Sequence, residues 1–315
     1  MARYILKRIL MLIPVLFGVT LLVFTLLYFA KGDPAATKLG SEATEEEIQE
    51  LREEWGLNDS YPVRFGRYVK QVLIDHDLGT SYATGKSISQ DIVYRFKITF
   101  QIAMISVGMA LVFGVLMGIV AAVKQYSIWD NASMVAALIG SSMPGFWIGL
   151  LMSILFALKL GWFPASGWGT FKQMVLPCTA SAIGLAGGLA RQTRSSMLEV
   201  IRQDYITTAR AKGISNLKVI FVHAFRNALI PIVTAAGNVL GFSLGGAVVI
   251  EAVFSIPGLG MYMVDAINKR DYPAIQGSTL YMAVVFGIVM LVVDILYALI
   301  DPRIKARYKT VKKKV

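Results

Sequence analysis

From residue 9 to residue 30 the chain runs for 22 residues without a charge, which is about what an α-helix needs to cross a hydrocarbon core of roughly 30 Å. Arg3, Lys7 and Arg8 precede this run and give it the charge order of a secretory leader. A leader's apolar stretch is about 7–15 residues long, so the run reads instead as a retained first span. Five further apolar stretches follow at 98–123, 131–158, 173–190, 227–250 and 274–300, the last broken only by Asp294. A backbone facing lipid must satisfy its own hydrogen bonds, and the alternating strands of about 10 residues that build membrane barrels are absent. The expected fold is therefore all-α: a polytopic membrane protein with six transmembrane helices.

Composition agrees, with 56% of the 315 residues hydrophobic and 16% charged and a mean hydropathy of +0.60. The formal charge of +11 could indicate nucleic acid, but a nucleic-acid binder spreads its cations over a soluble face rather than between apolar runs. Cys178 is the only cysteine and lies in an apolar stretch, so no intramolecular disulfide or thiolate cluster can form.

Charge between the spans orients them. The N-terminal arm, the loop at Lys124, residues 191–226 and the tail 301–315 hold 18 of the 31 Lys and Arg. All four lie on one side, which the positive-inside rule makes the cytoplasm. Both termini are then cytoplasmic. The segment 31–96 faces outside and carries 12 of the 20 acidic residues against 8 basic ones.

That external segment has its own helical signals. Thr44 followed by Glu47 makes a capping box, and Ile48, Leu51 and Trp55 share one face before Gly56. A small helical cap is expected, with Glu45–Glu47 complementing a helix N-terminus. On the cytoplasmic side, the loop 199–226 has room for helices of its own. Asp204 is placed to cap a short one carrying Tyr205, Ile206, Ala209 and Ala211 and stopped by Lys212 and Gly213, and Ser215 to cap a second. Such a helix suits docking into another protein's groove; the alternative is a solvated loop.

No catalytic site is legible. Gly79 to Ser87 resembles a phosphate loop, but it has five residues between its glycines where the P-loop has four, and it faces outside. The energy for transport must come from another subunit or an ion gradient. His76 and His223 fall on opposite sides, which leaves no metal site. Asp294 reads as either a structural ion pair or a transport residue. Arg191 and Arg194 read as the cytoplasmic end of the fourth span or as a positive ring near a pore. A proton- or sodium-coupled carrier would place several acidic groups near the midplane, and these spans offer almost none.

At the cytoplasmic loop the residues Thr208, Ala209, Arg210, Ala211, Lys212 and Gly213, followed by the segment from His223 to Pro231, resemble the permease subunits of dipeptide and oligopeptide ABC importers. The resemblance covers essentially the whole chain. It includes Gly32, Asp33 and Pro34, the run from Asp77 to Tyr82, Glu251 to Phe254, Pro257, Gly258 and Gly260, and Asp301 to Arg303. In ABC importers at large the corresponding loop forms the coupling helix seated on the ATPase, with a Glu-Ala-Ala pattern ahead of its glycine. Here Thr207, Thr208 and Ala209 hold those places, which fits the peptide branch.

The resemblance implies a type I importer permease fold with an external helical cap, in a bacterial-type cell membrane. It implies a second homologous permease, two cytoplasmic ATPases that bind ATP and Mg, an extracytoplasmic binding protein and a short-peptide substrate. Divided this way the chain has an arm and first span (1–30), an external segment (31–96), a five-helix permease core (97–300) and a basic tail (301–315). Residues 208–213 would couple to the ATPase, Glu251, Pro257, Gly258 and Gly260 would lie near the external mouth, and Ser141, Met143 and Asn238 are candidates to line the path. Nickel or another small solute remains an alternative cargo; an ion-coupled carrier, or an anchored receptor that moves nothing, remains an alternative function.

The topology is testable with an impermeant thiol reagent. Ser41→Cys should label from outside in intact cells, and labelling from the cytoplasmic face alone would overturn the orientation.

Overall fold

A computed structural model describes residues 2–300; the expected basic tail and the residues Asp301 to Arg303 lie outside the described residues. The elements in order are α1 (Ala2–Tyr28), α2 (Pro34–Leu39), α3 (Glu45–Glu54), α4 (Tyr61–Leu73), α5 (Ile88–Val123), α6 (Ile128–Ser142) and α7 (Gly145–Met152), which continues as a π-turn Ser153–Lys159. Next come α8 (Phe171–Ile201), α9 (Asp204–Ala211), α10 (Asn216–Lys218) running through a π-turn Val219–Ala224 into α11 (Phe225–Val253), α12 (Leu259–Asn268) and α13 (Tyr272–Ile300).

Five helices are long and apolar enough to cross a membrane, and α6 with α7 and its π-turn makes a sixth when taken together. This pair is bent by 101°, where the sequence reads as one continuous span. The cause is local. Proline disfavours a helical conformation in the residue before it, and Met143 is extended (φ −82°, ψ 132°). Few backbone groups are stranded, because the Met143 amide donates to the Ile139 carbonyl at 3.2 Å and the Pro144 carbonyl accepts from Trp147 and Ile148 at 3.0 and 3.2 Å.

The chain divides into two compact units. Among the described residues, one comprises Phe100–Ile256 together with residues 289–300. Its centre is α8, a helix rich in small residues against which α6, α7 and α11 pack, with α5 on a further side. Ala110 of α5 and Ala182, Ala186 and Leu189 of α8 are buried together. Gly114 and Gly118 bring the α5 backbone onto α8, since a Cβ there would stand 2.7 Å from the Ala186 carbonyl oxygen and 2.6 Å from that of Ala190. On the other side of α8, a Cβ on Gly187 would lie 2.2 Å from the Ala137 carbonyl oxygen of α6.

The second unit comprises Arg3–Thr99 and Pro257–Ile288. Ile88, Ile92, Leu259, Tyr262 and Ala274 form its core, with Val23 and Leu27 of α1 packed on it. The expected capping box is present: the Thr44 side chain accepts from the Glu47 amide, and the Glu47 side chain accepts from the Thr44 amide. Asp33 caps α2, Pro34 opens it and Gly32 precedes the cap with φ +103°, which explains that triplet's residue types. Helix α4 lies along α1 through Phe24, whose ring meets Tyr61 and Phe65 edge-on at 5.4 and 5.1 Å.

The α5–α8 approach predicts opposite results for two glycines of one helix. Nothing lies within 4 Å of a Cβ on Gly108. Gly114→Ala should lower the thermal midpoint of the detergent-solubilised subunit, at a cost of about 1–3 kcal/mol. Gly108→Ala should leave it unchanged or raise it, since alanine restricts the unfolded chain. Equal effects from the two variants would refute the close approach.

Candidate coupling surface and translocation path

Helix α9 has two faces. Ile206 and Ala209 are buried in one cluster with Ile119 and Ala122 of α5, Met197 of α8, Val219 and Ala224 of the π-turn, and Ala228 and Ile232 of α11. The other face leaves Thr207, Thr208, Arg210, Ala211, Lys212 and Gly213 exposed. Four of the six resembling positions, Thr208, Arg210, Lys212 and Gly213, therefore present an open polar surface. Ala209 holds that surface to the helices behind it, and Ala211 closes the helix.

The ends of α9 depart slightly from expectation. Gln203 rather than Asp204 is the N-cap, and Asp204 is the first helical residue; its carboxylate sits at the positive end of the helix instead of bonding its amides. The Asp204 carbonyl accepts from Thr208 Oγ1 at 3.0 Å. Gly213 adopts φ +74°, the left-handed stop expected of it. Its amide reaches the Arg210 carbonyl at 2.9 Å and the Ile214 amide reaches Ala209 at 3.3 Å. Ser215 is the N-cap of α10, with no side-chain bond.

Helix α8 continues to Ile201, eleven residues beyond the apolar stretch 173–190, and carries Arg191 and Arg194 three residues apart. Each has a partner that the sequence did not reveal. Arg194 grips Asp130 through two nitrogens, at 2.6 and 2.7 Å. The Asp130 carboxylate also accepts from the Tyr126 amide at 3.0 Å, and it is 2% exposed. Arg191 donates to Ser141 Oγ at 2.6 Å and to the Ala137 carbonyl at 3.3 Å. A cation thus sits at the C-terminal end of α6, where the helix dipole is negative.

Of the proposed path residues, Ser141 and Met143 come together at the break between α6 and α7, and both are half-buried. Asn238 lies on an exposed side of α11. Glu251 is wholly buried in the last turns of α11, within the first unit. Pro257, Gly258 and Gly260 belong to the second unit, where Gly258 is the N-cap of α12. Asp294 is half-buried in α13.

The phosphate-loop look-alike has a different use. Thr80 and Ser87 pair across a tight turn, and the loop closes on the buried Asp271. Its carboxylate accepts from Ser81 Oγ, from the Tyr82 amide at 3.0 Å and from the Ala83 amide at 3.2 Å. An anion does sit in the loop's amides, but it is a side chain of the same subunit. Tyr82 stacks on Trp55 at 3.8 Å, and burial pushes its phenol up to about 12, so it carries no charge at physiological pH.

Residues 114–306 match the family described as the binding-protein-dependent transport system inner membrane component, and residues 1–103 match the corresponding N-terminal family. The dipeptide transport system permease protein DppB of Alkalihalophilus pseudofirmus is 42% identical over 97% of this chain and all of its own length. A putative peptide transport system permease of Brucella abortus is 40% identical over 97% of this chain and 99% of its own. The glutathione transport system permease protein GsiC of Salmonella paratyphi A is 42% identical over 98% of this chain and all of its own.

Among solved structures, an inward-facing MetNI methionine ABC transporter aligns with a TM-score of 0.59 at 17% identity, over 67% of this chain and 97% of its own. An amino acid ABC transporter crystallised with histidines aligns at 0.52 and 13%, over 68% and 94%. These two bear on fold alone, and the fold is that of type I importer permeases. The chain belongs to the inner membrane components of binding-protein-dependent transport systems, the membrane-spanning permeases of ABC importers.

Proposed function

We propose that this subunit forms half of a pore for ATP-driven import of short peptides. The observation that carries the coupling is the two-faced α9, bedded on three spans by Ile206 and Ala209 and open along Thr208, Arg210 and Lys212. An open polar helix on a packed base is suited to seat in a groove of a separate ATPase. The peptide class is supported by the full-length relatives named for dipeptide, peptide and glutathione transport.

In this reading a second homologous permease completes the pore, two ATPases bind ATP and Mg on the cytoplasmic side, and an extracytoplasmic binding protein delivers the peptide. The charge distribution supports cytoplasmic termini and an external segment 31–96. Glu251, Pro257, Gly258 and Gly260 would lie toward the external mouth, and Ser141, Met143 and Asn238 would border the path. Closure of the ATPase dimer would drive α9 and switch the pore between two accessible states.

Gly213 tests the coupling. A β-branched residue disfavours φ +74°, whereas asparagine tolerates it. In proteoliposomes holding both permeases, both ATPases and the binding protein, Gly213→Val should cut ATP-driven dipeptide uptake by about tenfold or more, equivalent to about 1.4 kcal/mol, while the subunit still inserts. Gly213→Asn should retain most of it. Full transport by Gly213→Val would refute the lever. ATP-driven uptake of nickel without peptide would leave the architecture standing and remove the substrate.

A further inference from the structure

The first unit contains a cavity of about 310 Å³ that is distinct from the coupling surface. It opens between the middle of α5, the middle of α8, the outer part of α11 and the start of α7. Its walls are apolar, with Ile102, Leu185, Phe242 and Ile250 contributing, and Ala103, Ala180 and Gly184 leave the space by their small size. None of its lining residues is ionisable.

Three hydroxyls interrupt these walls. Ser181 is half-buried, and Ser243 donates to the Leu240 carbonyl at 3.1 Å. Ser106 is wholly buried; its Oγ bonds no nitrogen or oxygen among the described residues and has the weakly bonding Cys178 thiol beside it. A helical serine commonly bonds back to its own preceding turn, so a hydroxyl with only a thiol for company keeps capacity for a stronger partner.

The α7 N-terminus adds donors at the same place. Pro144 brings no N–H and no side-chain cap to this end, and the Gly145 and Phe146 amides make no hydrogen bond among the described residues. A broken helix at membrane depth exposes backbone only where protein or a polar cavity covers it, and its positive end favours an electron-rich partner.

Apolar walls with donors at one edge match one chemical pattern: a neutral side chain joined to a carbonyl or carboxylate. We infer that this cavity is a subsite for one apolar residue of the translocating peptide, its carbonyl or terminal carboxylate held by Ser106, Ser181 and the opening amides of α7. The inference rests on the peptide-import reading. The volume lies at the low end of small-molecule sites, about 300–1,000 Å³, which suits one or two residues rather than a whole oligopeptide. A charged side chain finds no counter-ion there and is disfavoured. The subsite accepts many neutral residues without choosing sharply among them.

The test uses the reconstituted complex with saturating binding protein, so that delivery is not limiting. A dipeptide carrying photoactivatable leucine should cross-link, during ATP-driven turnover, to the cavity walls near Ile102 or Leu185. Ser181→Phe should abolish that cross-link and slow dileucine uptake about tenfold more than diglycine uptake, in a complex whose assembly is checked by co-purification of the partner permease. Ser106→Ala should weaken cross-linking by neutral dipeptides about fivefold and keep the decision open should the bulky variant fail to assemble. Cross-linking only at other positions, or equal slowing of dileucine and diglycine, would overturn the subsite alone. A wild-type complex that moves no peptide would overturn the peptide reading and the subsite together.

Discussion

Helices in lipid gain little by hiding apolar side chains from hydrocarbon, so they associate by close packing and by polar contacts that hydrocarbon cannot replace. Helix α8 meets this constraint for the first unit. Its row of Ala182, Ala186 and Ala190 admits the backbone of α5 through Gly114 and Gly118, and its Gly187 admits α6 against Ala137. The rest follows from this central placement. Helices α5, α6, α7 and α11 all reach α8 because much of its side is small, and the α5 and α6 contacts are set by backbone rather than by deformable side chains.

Bare sides alone would let helices slide, and two arginines fix the register between α6 and α8. Arg194 holds the first turn of α6 through Asp130, and Arg191 holds its last turn through Ser141 and Ala137. Removing Arg194 would leave the enclosed Asp130 carboxylate without its guanidinium partner. The half-helix α6 is pinned at both ends, and the 101° bend that follows it is consequently a fixed feature of the fold. That bend leaves the amides of α7 facing the cavity.

The spans, the capping box at Thr44 and the left-handed Gly213 were legible because each depends on residues within a few positions of one another. The partners of Arg191 and Arg194 were not legible, because Ser141 and Asp130 lie 50 and 64 residues away in sequence. The bend at Pro144 was not legible in the apolar stretch 131–158, because its angle goes with how α7 lies against Phe254 and Val253 through Gly149. Asp271 and the loop it fills are about 190 residues apart, beyond any local pattern. The cavity was the least legible of all. It is made of what small side chains leave out, and sequence records only what they put in.

The same three helices carry both the base of the proposed lever and the proposed subsite. Ile119, Met197 and Ala228 of α5, α8 and α11 pack under Ile206 and Ala209, while Ser106, Ser181 and Ser243 of those helices line the cavity. At 1.5 Å per residue the two levels stand roughly 20 Å apart along each helix. A push on α9 reaches all three through one packed cluster, and close-packed helices pass displacement on rather than absorb it. The π-turn Val219–Ala224 leads into α11 and gives Val219 and Ala224 to that cluster, and such turns mark places where a helix can shift register. On the proposed mechanism, α5 and α8 would move as one body about their glycine contact, and α11 could lag or rotate against them. The cavity has walls from both groups, so its width would change with each stroke, which would let one event on the cytoplasmic side loosen a bound residue about 20 Å away.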